Sequence, residues 1–191
     1  MKITKAQALA NRVHVVETAS SLFRERGYDG VGVADLMASA GFTHGGFYKQ
    51  FSSKSDLMAE SAVSGMMKTA ALTVDMDATQ FVELYLSREH RDVRATGCTM
   101  AALGGDAARQ SDEIRNKFAE GIENLVTILS RKVSVDETVD LDQSRVKAID
   151  AFAHALGAIV LSRACPDDSP LADEILTVCR NEILRSLNLL S

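Results

Sequence analysis

The chain has 191 residues, 46% of them hydrophobic, which suits one large domain or two small ones with a true core. With 2 Pro and 12 Gly it has few breakers and favours helices throughout. Its three cysteines, Cys98, Cys165 and Cys179, are odd in number and far apart. That excludes a disulfide framework and a zinc site and fits a reducing cytoplasm. No window approaches the ~20 apolar residues of a membrane helix, and the first residues lack the apolar core and cleavage site of a signal peptide. The net charge of −5 hides an asymmetry: residues 1–55 hold 7 Lys/Arg against 4 acids, the remainder 14 against 22. A basic head on an acidic body fits a polyanion binder.

In chain order, residues 5–27 read as a first helix, with Leu9, Val13, Val16 and Phe23 at helical spacing and Ala19 and Ser20 filling the step. Gly27 ends it. Val33, Leu36, Met37 and Ala40 share one face of a short helix that Gly41 stops. Thr43 can cap the next helix, on which Phe47 and Phe51 point inward while His44, Tyr48 and Lys49 face out. Two short helices around a tight glycine turn make a helix-turn-helix pattern. Ser53 and Asp56 form a capping box that opens a helix of about twenty residues, to around Thr73. A second box, Asp77 to Gln80, opens a helix through Leu86. Residues 87–97 are charged and aperiodic and read as a loop, with His90 exposed.

Residues 98–109 form a short helix in which Gly104 and Gly105 allow close packing or a bend. Ser111 caps the next, whose stripe is Ile114, Phe118, Ile122, Leu125 and Leu129. Residues 134–139 are a break. A helix over 141–164 carries Val146, Ile149, Phe152, Ala153, Leu156 and Val160. After a turn, Ser169 and Pro170 start the last helix, with a broad apolar arc from Leu171 to Leu190. A helix apolar over more than one stripe needs more than one partner: one stripe can face its own domain and the other a second copy of the chain, the alternative being an ordinary buried helix.

The stretch Gly41, Thr43, Gly46, Phe47, Tyr48, Phe51, Lys54 and Leu57 reads G-x-T-x-x-G-F-Y-x-x-F-x-x-K-x-x-L. It resembles the DNA-binding segment of the TetR/AcrR family of transcriptional regulators. Gly32 stands where that family usually has a Ser or Thr cap, and Gln50 where His or an aromatic is common. The resemblance implies an all-α fold of about nine helices. A DNA-binding head over 1–52 carries the helix-turn-helix, and a helical effector-binding and dimerisation body follows over 53–191.

Phosphate contacts set position and base contacts set sequence. Tyr48 and Lys54 are assigned to phosphates. Thr43, His44, Gly45 and Lys49 lie toward the major groove, Lys49 suiting either guanine or a phosphate. The resemblance places an effector pocket among the middle helices, with Met66, Phe81, Tyr85, Cys98, Met100 and Phe118 as candidates. Each of these suits plain core packing equally. Cys98 near a helix start is either an oxidant-sensing thiol or a small buried residue. The dimer interface is assigned to Phe152, Leu156, Ile175, Cys179, Ile183 and Leu187, on the last two helices.

The expected function is a ligand-responsive regulator, foremost a repressor. It binds a palindromic operator in double-stranded DNA as a homodimer and is released by an unknown small-molecule effector. No membrane, metal or cofactor enters. The alternative is a helical ligand-binding or scaffold protein without DNA affinity. Enzyme signatures are lacking: no HExxH, no phosphate-binding glycine loop and no Gly-x-Ser-x-Gly elbow.

Overall fold

The computed structural model describes residues 4–133 and 141–189; the expected break over 134–139 and the expected arc residue Leu190 lie outside them. The described residues are helical with short connections. In order they are α1 (Lys5–Arg26), α2 (Val33–Ser39), a 3-10 segment (His44–Lys49), α3 (Lys54–Thr73), α4 (Ala78–Tyr85), α5 (Arg88–Asp92), a 3-10 turn (Arg94–Thr96), α6 (Thr99–Ala107), α7 (Asp112–Val133), α8 (Leu141–Ala164) and α9 (Pro170–Ser186). They gather into two compact units. The first takes the chain up to Lys68 with Arg94–Ala119; the second takes Thr69–Val93 with the chain from Glu120 onward.

In the first unit, Thr4 caps α1 by accepting from Gln7 N at 3.1 Å. The buried face of α1 is Val15, Val16, Ala19, Ser20, Phe23 and Arg24. Leu9 and Val13, expected in the core, are exposed. α2 buries Leu36 and Met37 and ends as its sequence predicts. Gly41 adopts φ +77°, and Gly41 and Phe42 donate to Ala38 and Met37 carbonyls at 3.0 and 2.8 Å, a Schellman ending. As expected from Gly32, no side chain caps the start of α2.

The box at α3 forms with one change. Asp56 N donates to Ser53 Oγ at 3.0 Å, but the Asp56 carboxylate accepts from Ser52 N and Oγ, both at 3.0 Å. Deep in this unit the Arg24 guanidinium donates to Ala95 O, Ser20 Oγ and Thr99 Oγ1, at 2.8, 3.2 and 3.4 Å. Gly104 and Gly105, expected to allow close packing or a bend, face open space, so no close approach is made there.

In the second unit, Asp77 and Gln80 complete both bonds of their box at the start of α4. The stretch expected as a loop contains α5, because Ser87 Oγ accepts from His90 N at 3.1 Å and caps it. On α5, Arg91 is buried and donates to Ser162 O and Oγ, Cys165 O and Asp167. These bonds tie α5 to the α8–α9 turn. His90 is half-buried rather than exposed, with Nδ1 2.7 Å from Tyr85 O. On α7, Leu125, Val126 and Leu129 are buried, whereas Ile122 is 42% exposed, just past Ala119 where the helix leaves the first unit. α9 stops at Ser186, four residues short of the expected end. Asn188 takes φ +57°, and Leu189 and Asn188 donate back to Leu184 and Arg185 carbonyls at 2.8 and 3.0 Å.

Candidate nucleic-acid interface and ligand cavity

The segment after Gly41 is positioned from below. Phe47 is fully buried and Phe51 nearly so, their ring centroids 5.5 Å apart. With Phe47 anchored, Thr43, His44, Gly45, Tyr48 and Lys49 all face outward together. Tyr48 is 66% exposed and stands edge-on to Phe47 and His44, at 5.1 and 5.9 Å. The segment is 3-10 rather than α-helical, and Thr43 caps with its carbonyl, accepting from Gly46 N at 2.9 Å, not with its side chain. Gly45 and Gly46 in succession explain this: neither favours an α-helix.

Lys54 behaves differently from its phosphate assignment. Its ammonium donates to Tyr28 O at 2.6 Å and lies 5.9 Å from the Phe23 ring, so it is engaged inside the first unit. Gln50 tucks its side-chain oxygen out of solvent, without a partner. Its carbonyl accepts from Arg12 Nε at 3.3 Å.

Residues 15–60 match the family described as bacterial regulatory proteins, tetR family. That segment carries the DNA-binding signature of the tetR family. The chain is a DNA-binding transcriptional regulator, and its relatives are regulators rather than enzymes. The helix-turn-helix transcriptional repressor DhaR of Mycobacterium sp. strain GP1 is 26% identical over 92% of this chain and 93% of its own length. A TetR transcriptional regulator from Chloroflexus aurantiacus shares the fold, with a TM-score of 0.71 and 20% identity over 94% of this chain and 95% of that one. AibR, solved with isovaleryl coenzyme A and operator DNA, has a TM-score of 0.61 at 18% identity, covering 92% and 97%.

The second unit of this regulator holds a small cavity that opens to solvent. Phe81, Val82 and Tyr85 of α4, Leu129 and Lys132 of α7, Ala148, Ala151, Phe152 and Ala155 of α8, and Leu187 line it. Of the six candidate pocket residues, Phe81 and Tyr85 are brought here. Met66, Cys98, Met100 and Phe118 belong to the first unit, the last three buried in it. Cys98 sits at the start of α6 beside the Arg24 guanidinium.

The interface candidates also divide. Phe152 and Leu187 line the cavity and Ile183 is buried, while Leu156, Ile175 and Cys179 are half-buried. The exposed apolar surface of α8 is the stripe Val146, Ile149, Ala153 and Val160 with Leu161, and on α9 Leu171 and Val178. The periodicity of α8 thus marks its outer face. The inner face is Ser144, Ala148, Phe152, Ala155, Ile159 and Ser162, which reads weakly because small and hydroxyl residues dominate it. No described helix is long and apolar enough to cross a membrane.

Proposed function

We propose that this regulator is a cytoplasmic repressor that binds a palindromic operator as a homodimer and is released by a small molecule. The observation that carries it is the outward cluster of Thr43, His44, Gly45, Tyr48 and Lys49 on a segment anchored by Phe47. Tyr48 serves a phosphate, Lys49 a phosphate or guanine, and Thr43, His44 and Gly45 the groove. One such segment makes few contacts, so two related by a twofold axis supply specificity.

The exposed stripe of Val146, Ile149, Ala153 and Val160 supports pairing through α8 and α9, since an apolar stripe of this kind is costly in water. The head over 1–52 reads DNA and the body over 53–191 pairs and binds the effector. α3 runs on from the head, and its displacement by a ligand shifts the spacing of the two reading segments. DhaR is named a repressor, which favours repression over activation. The test is anisotropy titration against the duplex upstream of the protein's own gene at two salt concentrations. Steep salt dependence with sequence preference supports the reading. Equal affinity for scrambled duplex, or no binding at low salt, refutes it.

A further inference from the structure

Tyr28, in the turn between α1 and α2, has both of its backbone polar groups taken by charged side chains from other helices. Its N–H donates to Asp106 Oδ2 of α6 at 3.1 Å, and its carbonyl accepts from the Lys54 ammonium of α3 at 2.6 Å. Lys54 is the first residue of α3, a short connection beyond Lys49. All three residues belong to the first compact unit. We infer that Asp106 is a positioning residue for DNA binding, acting through Tyr28 and Lys54 on the segment His44–Lys49; this rests on the reading of that segment as the part that meets DNA.

Nothing in α6 itself calls for Asp106. It lies in the last turn of that helix, where the helix dipole disfavours a carboxylate. Arg109 pairs with its other oxygen at 2.8 Å, but that side chain is 70% exposed, and such pairs contribute little. The bond to Tyr28 accounts for the carboxylate. Gly27 shapes its seat: the glycine takes φ +75°, and a Cβ there would stand 2.8 Å from Asp106 Oδ2. The Tyr28 ring is buried edge-on to Phe23 at 5.1 Å, which fixes the backbone between the two charges. Lys54 lies 5.9 Å from the same Phe23 ring, a second attraction for its ammonium. An N–H and a carbonyl each bound by a full charge are stronger ties than neutral pairs. Losing either tie loosens the start of α3 from the α1–α2 turn. The alignment of the reading segment then leans on Arg12 and its bond to the Gln50 carbonyl.

The test is a double-mutant cycle on the purified full chain, at a temperature where circular dichroism shows every variant folded. The probe is the duplex that the parent chain selects from a random pool. Asp106→Ala and Lys54→Met should each weaken binding ~10-fold, the effect of one charge-assisted bond. Acting as one relay, they should leave the double variant within ~2-fold of either single one. Asp106→Asn, whose amide oxygen can still accept from the Tyr28 N–H, should recover most of the affinity. Arg109→Ala leaves the Tyr28 bond in place and should bind within ~2-fold of the parent. The Lys54 ammonium resonance of the DNA-free chain is a separate readout. It should be protected from exchange in the parent and in Asp106→Asn, and lost to exchange in Asp106→Ala. If Asp106→Ala fails to fold, Asp106→Ser, which lacks the carboxylate, takes its place in the cycle. Additive losses reaching ~100-fold would overturn the inference. So would a Lys54→Met variant whose salt slope falls by ~1, as for a lost phosphate contact. A parent that binds its duplex while Asp106→Ala binds equally well would overturn the inference alone. A parent that selects no duplex would refute the reading of the segment and the inference with it.

Discussion

Arg12 and Glu60 face each other as a two-pronged guanidinium–carboxylate pair that joins α1 to α3. Arg12 also donates to Gln50 O, at the end of the outward segment, and lies 4.6 Å from the centroid of the Phe51 ring. One side chain therefore holds α1, α3 and the DNA-reading segment in register. The bond to Glu60 raises the Arg12 pKa, so the guanidinium stays charged at every pH of use. Arg12→Lys keeps the charge but loses the fork. Because both partners are about a third exposed, the stability cost is only ~1 kcal/mol. Operator affinity should fall more than this cost suggests. A double-mutant cycle with Glu60→Gln, read by urea midpoints, checks the pair; additive losses would show no coupling.

Gly65 of α3 leaves room that Arg24, Thr99 and Ser20 occupy; a Cβ there would stand 2.8 Å from Ser20 Oγ and closer still to the other two. Gly65→Ala should destabilise by ~1–3 kcal/mol, the range for overpacking a filled site. Gly104→Ala, on α6 with open space around it, should be neutral or stabilise by up to ~1 kcal/mol through helix propensity. Thermal denaturation of the two variants side by side decides it, and equal shifts would contradict the assignment.

Tyr48 and Lys49 are exposed, and Tyr48→Phe keeps the ring that stands edge-on to Phe47 and His44, so these substitutions should spare the fold. Tyr48→Phe should weaken operator binding by ~1 kcal/mol, one hydrogen bond's worth. If Lys49 meets a phosphate, Lys49→Ala should reduce the slope of log affinity against log salt by ~1 across all duplexes. If it reads guanine, the loss should fall on the cognate duplex. Unchanged affinity in both variants would remove the outward face from the interface.

Burial lowers the pKa of His90, opposed by its bond to the Tyr85 carbonyl and assisted by the nearby Arg163 charge. The unfolded imidazole titrates near pH ~6.5. Below that value the unfolded chain gains a proton that the folded chain refuses, so acidification costs stability until the lowered pKa is reached. Above pH ~6.5 this contribution is flat. His90→Phe should make the fall in urea midpoint between pH 7 and 5 shallower than in the parent chain. Parallel profiles would mean that His90 is not the group responsible.

Much of the fold is written in local chemistry. Gly41 and the boxes at Ser53 and Asp77 fix helix ends within a few residues, so α2, α3 and α4 are legible. The outward order of Tyr48 and Lys49 follows from Phe47 and Phe51 in the same way. What escapes is set by distant partners. Arg91 looks like one more charge in a polar run, yet Ser162, Cys165 and Asp167, more than 70 positions away, bury it. Leu9, Val13 and the α8 stripe have core-like spacing but face water, because periodicity reports an apolar face without naming its cover. The cavity was legible only in Phe81 and Tyr85. Its alanine wall has no signal of its own.

The most direct test of the central claim is the mass of the protein–operator complex, by light scattering, for the parent chain and for Ala153→Glu. Ala153 is exposed on α8 among Val146, Ile149 and Val160, so a charge there spares the folded subunit. The account predicts two parent subunits per palindromic duplex, and for Ala153→Glu a folded monomer whose operator affinity falls by orders of magnitude. A single parent subunit on the duplex, or full affinity in monomeric Ala153→Glu, would contradict it.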